Sequence, residues 1–165
     1  MTSEPASASR NFDAVLPRKH VAAGCLFLDE LGRILLVKPV YKQPWEIPGG
    51  GVEADESPLA ACRREVREEL GLDRPPGRLL CVDHRNAIPD VRGDALRFIF
   101  AGAPLSPGDL TTIQLDPTEL SEWRFVAVDA LDEYVIPALA RRLRACVHAS
   151  AAVYLEEGEP PAAPA

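Results

Sequence analysis

The chain has no CxxC pair, no excess of positive charge and no apolar run longer than residues 21–28. Each absence excludes a class of function. A run this short cannot cross a bilayer, which takes about 20 apolar residues as a helix. Residues 1–15 also lack the apolar segment of a signal peptide, so a cytoplasmic protein with no membrane partner is expected. The 25 acidic against 18 basic residues give a net charge of −7. Such a field repels long polyanions, and duplex nucleic acid is not an expected partner. Cys25, Cys62, Cys81 and Cys146 are far apart, and His20, His84 and His148 are isolated. That spacing argues against a zinc site. The cysteines read as reduced core thiols and the histidines as structural. No internal repeat is present.

What remains suits one globular domain: 165 residues, 47% apolar and 26% charged. Residues 1–16 and 158–165 have no periodicity able to bury a face and are expected to be mobile tails around a domain at 17–157. Residues 21–28 and 33–37, joined by Asp29-Glu30-Leu31-Gly32, predict a hairpin whose first strand is buried on both faces. Residues 45–47 form a short extended piece, stopped by Pro48 and three glycines. Ser57 as N-cap, Pro58 at the first helical position and Gly71 as terminator predict a helix over 58–70, with Leu59, Cys62, Val66 and Leu70 facing the sheet. Strands follow at 78–82, 96–101 and 123–128. A second helix carries Ile136, Leu139, Ala140, Leu143 and Val147 inward and Arg141, Arg142 and Arg144 outward. A last short strand is expected at 153–155.

On the first helix Glu65, Glu68 and Glu69 stand three and four residues apart, so their carboxylates share one face. Each like-charge pair at that spacing costs about 0.2–0.5 kcal/mol, and Glu53, Asp55 and Glu56 deepen the negative potential. Arg64 offsets only part of it. A hard divalent cation turns the same repulsion into a site, since magnesium prefers oxygen ligands and bridges carboxylates to phosphates. It would also let an acidic protein take a small phosphorylated ligand. Gly49, Gly50 and Gly51 would let backbone approach a metal or phosphate closely. For the fragment RREVREEL alone, a solvated helical face explains the composition as well.

The full spacing is more specific. From Gly50 the chain gives Glu56, Arg64, Glu65, Val66, Glu68, Glu69, Gly71 and Leu72, fitting G-x5-E-x7-R-E-U-x-E-E-x-G-U with U apolar. Chance agreement in a chain of average composition is on the order of one in a million. Here the chain resembles the Nudix hydrolase family, whose signature box is matched at every defined position. Trp45-Glu46-Ile47-Pro48-Gly49-Gly50 looks like the family's lead-in, and Glu122-Trp123-Arg124-Phe125-Val126 like its late strand.

The resemblance implies an α/β/α sandwich around a mixed β-sheet. It implies an enzyme that hydrolyses a diphosphate linkage, with Glu65, Glu68 and Glu69 ligating Mg²⁺ or Mn²⁺ and the Gly49 carbonyl as a further ligand. Arg64 is expected to orient the glutamates and Glu56 to fix the loop, while Glu65, Glu119 and Glu122 all stand as candidate bases. Trp45, Tyr41, Lys38, Arg85 and Arg97 are candidates for holding substrate, each with an ordinary packing or solvated role as its alternative.

A small nucleotide, either a nucleoside triphosphate or a nucleoside diphosphate joined to another group, is the expected substrate. The proline typical of ADP-ribose hydrolases is matched only by an offset Pro89, and the tyrosine of diadenosine polyphosphate hydrolases is missing between Tyr41 and Tyr134. Two other readings compete: a ligand-sensing or binding module without turnover, and a diphosphate isomerase using Cys81. The sequence neither requires nor excludes a homodimer.

Overall fold

A computed structural model describes residues 16–87 and 93–162; Pro89, residues 1–15 of the first expected tail and residues 163–165 of the second lie outside them. The strands are β1 (His20–Leu26), β2 (Ile34–Pro39), β3 (Gly49–Gly51), β4 (Leu79–Arg85), β5 (Ala95–Ala101), β6 (Leu120–Val126) and β7 (Val153–Glu156). The helices are α1 (Pro58–Leu70), α2 (Pro107–Thr112) and α3 (Pro137–His148), with a 3-10 turn at Val128–Glu133 before α3. Among the described residues, no helix is long and apolar enough to cross a membrane.

Five strands form a mixed sheet in the order β3-β1-β5-β4-β7, in which β1/β5 and β4/β7 run parallel and the other two pairs antiparallel. One face meets α1 through Ala61, Cys62, Val66 and Leu70, packed with Ala23, Cys25, Phe27 and Phe100. The other meets α3 through Leu139, Ala140, Leu143 and Cys146, packed with Cys81, Ile99 and Leu155. This is the expected α/β/α sandwich. Along β5, Phe98 and Phe100 face the α1 side of the sheet and Arg97 and Ile99 the α3 side.

The turn at Asp29 forms as expected. Its carboxylate accepts the Leu31 and Arg33 amides at 3.0 and 2.8 Å, and Gly32 takes a positive φ of 72°. The hairpin it closes does not persist, however. β2 leaves β1 after the Leu28–Ile34 bridge and pairs with β6 in a separate two-stranded sheet. The reason lies in its side chains: Ile34 and Leu36 enter one core, Leu35 and Val37 the other.

Other departures have similarly specific causes. Leu59 is exposed, because Ala61 and Glu69 complete the buried stripe of α1 in its place. Arg142, expected on the outer face of α3, is 3% exposed and donates from Nε to the fully buried Asp83 at 2.7 Å. Gly158, expected to open a tail, is buried with φ 81°, and its amide donates to the other Asp83 oxygen at 2.8 Å. The short α2 carries its own signal in Ser106 and Asp109, a reciprocal capping box behind Pro107.

Candidate active site

Local chemistry fixes the helix that presents the glutamates. The Ser57 hydroxyl accepts the Ala60 amide at 3.2 Å, and Gly71 closes α1 in the left-handed conformation with its amide on the Arg67 carbonyl at 3.0 Å. Burial of Cys62, Val66 and Leu70 then turns Glu65 and Glu69 toward the sheet edge, where β3 pairs with β1 in the register Gly24↔Gly49. Glycine is required there. A Cβ on Gly49, whose φ is 149°, would stand 2.4 Å from the Ala23 carbonyl, and one on Gly50 would stand 2.4 Å from Glu65 Oε1. Above Gly51 the space is open.

The carboxylates meet this loop differently. Glu69, 8% exposed, accepts the Gly49 amide at 2.7 Å. Burial pushes the Glu69 pKa up to about 8; the Gly49 amide opposes this, while Glu65, Glu46 and Glu119 repel the ionised form. Burial also raises Glu65, against the pull of Arg64, with Glu68 and Glu119 adding repulsion. Glu68 is half exposed.

Arg64 gathers the site. Its Nε and Nη2 grip both oxygens of Glu56 at 3.0 Å, Nη2 also donates to the Gly51 carbonyl at 2.9 Å, and Nη1 reaches Glu65 at 2.7 Å and Glu68 at 2.9 Å. One guanidinium thus ties the glycine strand, the loop before α1 and two box glutamates together, which a point-charge lysine could not do. Glu56 also accepts the Glu53 amide at 3.1 Å, and the Arg64 fork holds its carboxyl below the usual range.

The two later acids separate. Glu119 lies close enough for its charge to act on both Glu65 and Glu69. Glu122 is engaged elsewhere, by Lys38 at 3.3 Å and Arg124 at 2.8 Å.

A cavity of about 240 Å³ adjoins the loop on the α3 side of the sheet, bordered by Gly49–Gly51, Glu46, Arg97 and Arg142. Of the five expected substrate residues, only Arg97 lines it. Trp45 is buried, edge-on to Tyr134 at 5.7 Å, with the Arg124 guanidinium 4.7 Å from its ring. With Lys38 it lines a separate groove that includes Asp132 and Glu133. Tyr41 is exposed, with Lys42 5.3 Å from its ring. No base-stacking wall is therefore assembled from Trp45 and Tyr41 at this cavity. Arg85 lies on β4, on the same sheet face as Arg97. Sequence reasoning missed Glu46 and Arg142; the alternation through Trp45-Glu46-Ile47 was the available signal for the first. Cys81 is fully buried beside Cys146, which removes the thiol that an isomerase would need.

Comparison with known proteins decides the family: the model of the NUDIX domain matches residues 18–147. The chain belongs to the NUDIX domain family. Among NUDIX relatives, human diphosphoinositol polyphosphate phosphohydrolase 3-alpha is 38% identical over 85 residues, covering 51% of this chain and 52% of the relative. An RNA pyrophosphohydrolase from Marinomonas sp. (strain MWYL1) is 40% identical over 50 residues, 30% of this chain and 31% of that one. This chain thus spans about half the length, or less, of these curated relatives. The crystal structure of a MutT protein from Methanosarcina mazei Go1 superposes with a TM-score of 0.62 at 23% identity, covering 80% of this chain and 93% of that chain. That likeness bears on the NUDIX fold alone.

Proposed function

We propose that the chain hydrolyses a diphosphate linkage in a small phosphorylated substrate, with a divalent cation held by the box glutamates. The observation that carries this reading is the crowding of Glu65 and Glu69 against Gly49 and Gly50, where an added side chain would meet the Ala23 backbone or the Glu65 carboxylate. Two carboxylates with raised pKa values, a third at Glu68, and Glu119 in electrostatic reach form a site that is costly without a counter-charge. The donor set is all oxygen, which fits Mg²⁺ or Mn²⁺. Among the described residues no three such side chains already converge at ligating distance, because Arg64 holds Glu65 and Glu68 while the Gly49 amide holds Glu69. Glu65, Glu68 and Glu69 would hold the cation in exchange for part of these contacts.

When bound, such a cation neutralises diphosphate oxygens and lowers the pKa of a coordinated water. The chain's own contribution is positional. Arg64 keeps α1 registered against Gly51. Glu119, whose charge reaches Glu65 and Glu69 and which among the described residues has none of the ion pairs that occupy Glu122, is assigned the role of proton acceptor. The names of the two relatives, a phosphohydrolase and a pyrophosphohydrolase, support the reaction class. Trp45 and Tyr41 supply no stacking surface for a base at the cavity. The test is turnover of nucleoside triphosphates, nucleotide sugars and diphosphorylated inositols by purified protein with Mg²⁺ or Mn²⁺. Release of phosphate or nucleotide that stops with EDTA and falls by orders of magnitude in Glu68→Gln is expected. Turnover unchanged in excess EDTA would exclude the mechanism.

A further inference from the structure

The cavity beside Gly49–Gly51 contains charges that do not balance. Arg142 is neutralised by Asp83, to which it donates from Nε at 2.7 Å, and Glu46 by Lys42 at 2.6 Å. Arg97 makes no ion pair or side-chain hydrogen bond among the described residues, although it lines the cavity and is partly buried. Burial lowers its pKa and the charges of Arg142 and Arg85 lower it further, with Glu46 and Asp83 offsetting only part of this. Arg85 completes the picture. It stands two residues along β4 from Asp83, which is directly opposite Arg97, so all three point to one face of the sheet. Among the described residues, the buried Arg85 Nε and Nη1 have no hydrogen-bond partner.

Buried Arg85 nitrogens without acceptors and a partly desolvated Arg97 are costly, and the repulsion between the two guanidinium groups adds to the cost. A phosphate supplies what they lack, since its oxygens accept from the planar fork of arginine in pairs. Arg97, Glu46 and Arg142 apart, the cavity wall is small or aliphatic, with Ala22, Gly24, Ile47, Ile99 and Leu139 and no aromatic ring for a base; Arg85 lies on the same sheet face but outside this lining.

We propose that Arg97 and Arg85 form a subsite for a second anionic group of the substrate, a phosphate carried by a non-aromatic moiety attached to the cleaved diphosphate. The glycine strand separates this subsite from the carboxylates of α1. A substrate spanning it places its diphosphate over Gly49–Gly51 and its further phosphate in the cavity. The inference rests on the hydrolase reading for its biological meaning but is tested independently of turnover.

The test is calorimetric titration of the purified chain in EDTA at about 0.15 M salt, where surface charges are screened beyond about 8 Å. Three probes are used: myo-inositol hexakisphosphate, inorganic phosphate and adenosine. The inositol phosphate is expected to bind and adenosine to give no heat. Arg97→Gln and Arg85→Gln should each weaken inositol phosphate binding about tenfold or more. Both variants should melt at or above the wild-type temperature, because each removes an unsatisfied charge. Arg97→Lys, which keeps the charge without the fork, should fall between. Wild-type affinity in both glutamine variants, tighter binding of adenosine than of the inositol phosphate, or a loss of several degrees in melting temperature would overturn the subsite. Glu68→Gln separates the two readings: it should bind the inositol phosphate in EDTA while failing to hydrolyse any diphosphate with Mg²⁺. Wild-type protein that binds the probe but hydrolyses nothing supports the subsite and contradicts the enzyme.

Discussion

Gly50 sits directly over the Glu65 carboxylate, so close that a Cβ would stand 2.4 Å from its oxygen. The obstacle to a side chain is the far end of a flexible glutamate, whereas at Gly49 it is the backbone of Ala23 and Gly24. The two glycines should therefore fail in different ways. Gly50→Ala displaces Glu65 with little loss of stability, and turnover should fall on the order of 100-fold, the scale of an ångström of misplacement. Gly49→Ala imposes backbone strain at φ 149° and should cost about 2 kcal/mol or more of stability. Thermal melts paired with turnover check both, and a Gly50→Ala protein with full activity would show that the position of Glu65 is unimportant.

Asp83 and Arg142 form a buried pair that joins β4, α3 and the Gly158 turn. Breaking it strands a charge in the core. Asp83→Asn should destabilise the chain by about 3–5 kcal/mol, whereas replacing both partners, Asp83→Leu with Arg142→Met, should recover part of that loss, the Gly158 amide being left without its acceptor. Denaturant unfolding of the single and double variants makes the comparison; a double variant as unstable as the single one would place the defect in packing instead.

Glu69 sets a pH dependence opposite in sign to that of an ordinary paired acid. Its folded pKa of about 8 lies above the unfolded value of about 4.3, so below pH 4 both states are protonated and nothing is lost. As the pH rises from there to about 8, the unfolded chain ionises first and the fold loses stability. Melting temperature measured in EDTA should thus decline over that window, and Glu69→Gln should flatten the decline. An equal slope in wild type and variant would place the titrating group elsewhere.

The box helix was legible because its signals are local. Ser57, Pro58 and Gly71 fix its ends, and the spacing of Glu65, Glu68 and Glu69 needs no tertiary information. Pairing between distant strands carries no such mark. Residues 33–37 read as the return of a hairpin, and only the presence of two cores draws β2 away to β6. Arg142 looked like a solvated charge because its partner, Asp83, lies in β4, far back along the chain. Trp45 failed as a stacking candidate for a related reason: Tyr134 and Arg124, which occupy its ring, arrive from distant elements.

Hydrolysis in ¹⁸O-labelled water with Mg²⁺ tests metal-assisted attack on phosphorus most directly. A diphosphate substrate should be cleaved with one labelled oxygen appearing in a phosphate product, detected by the ³¹P isotope shift, and cleavage should cease in EDTA and in Glu69→Gln. Label confined to the organic alcohol, or cleavage that persists without a divalent cation, would contradict the role assigned to Glu65, Glu68 and Glu69.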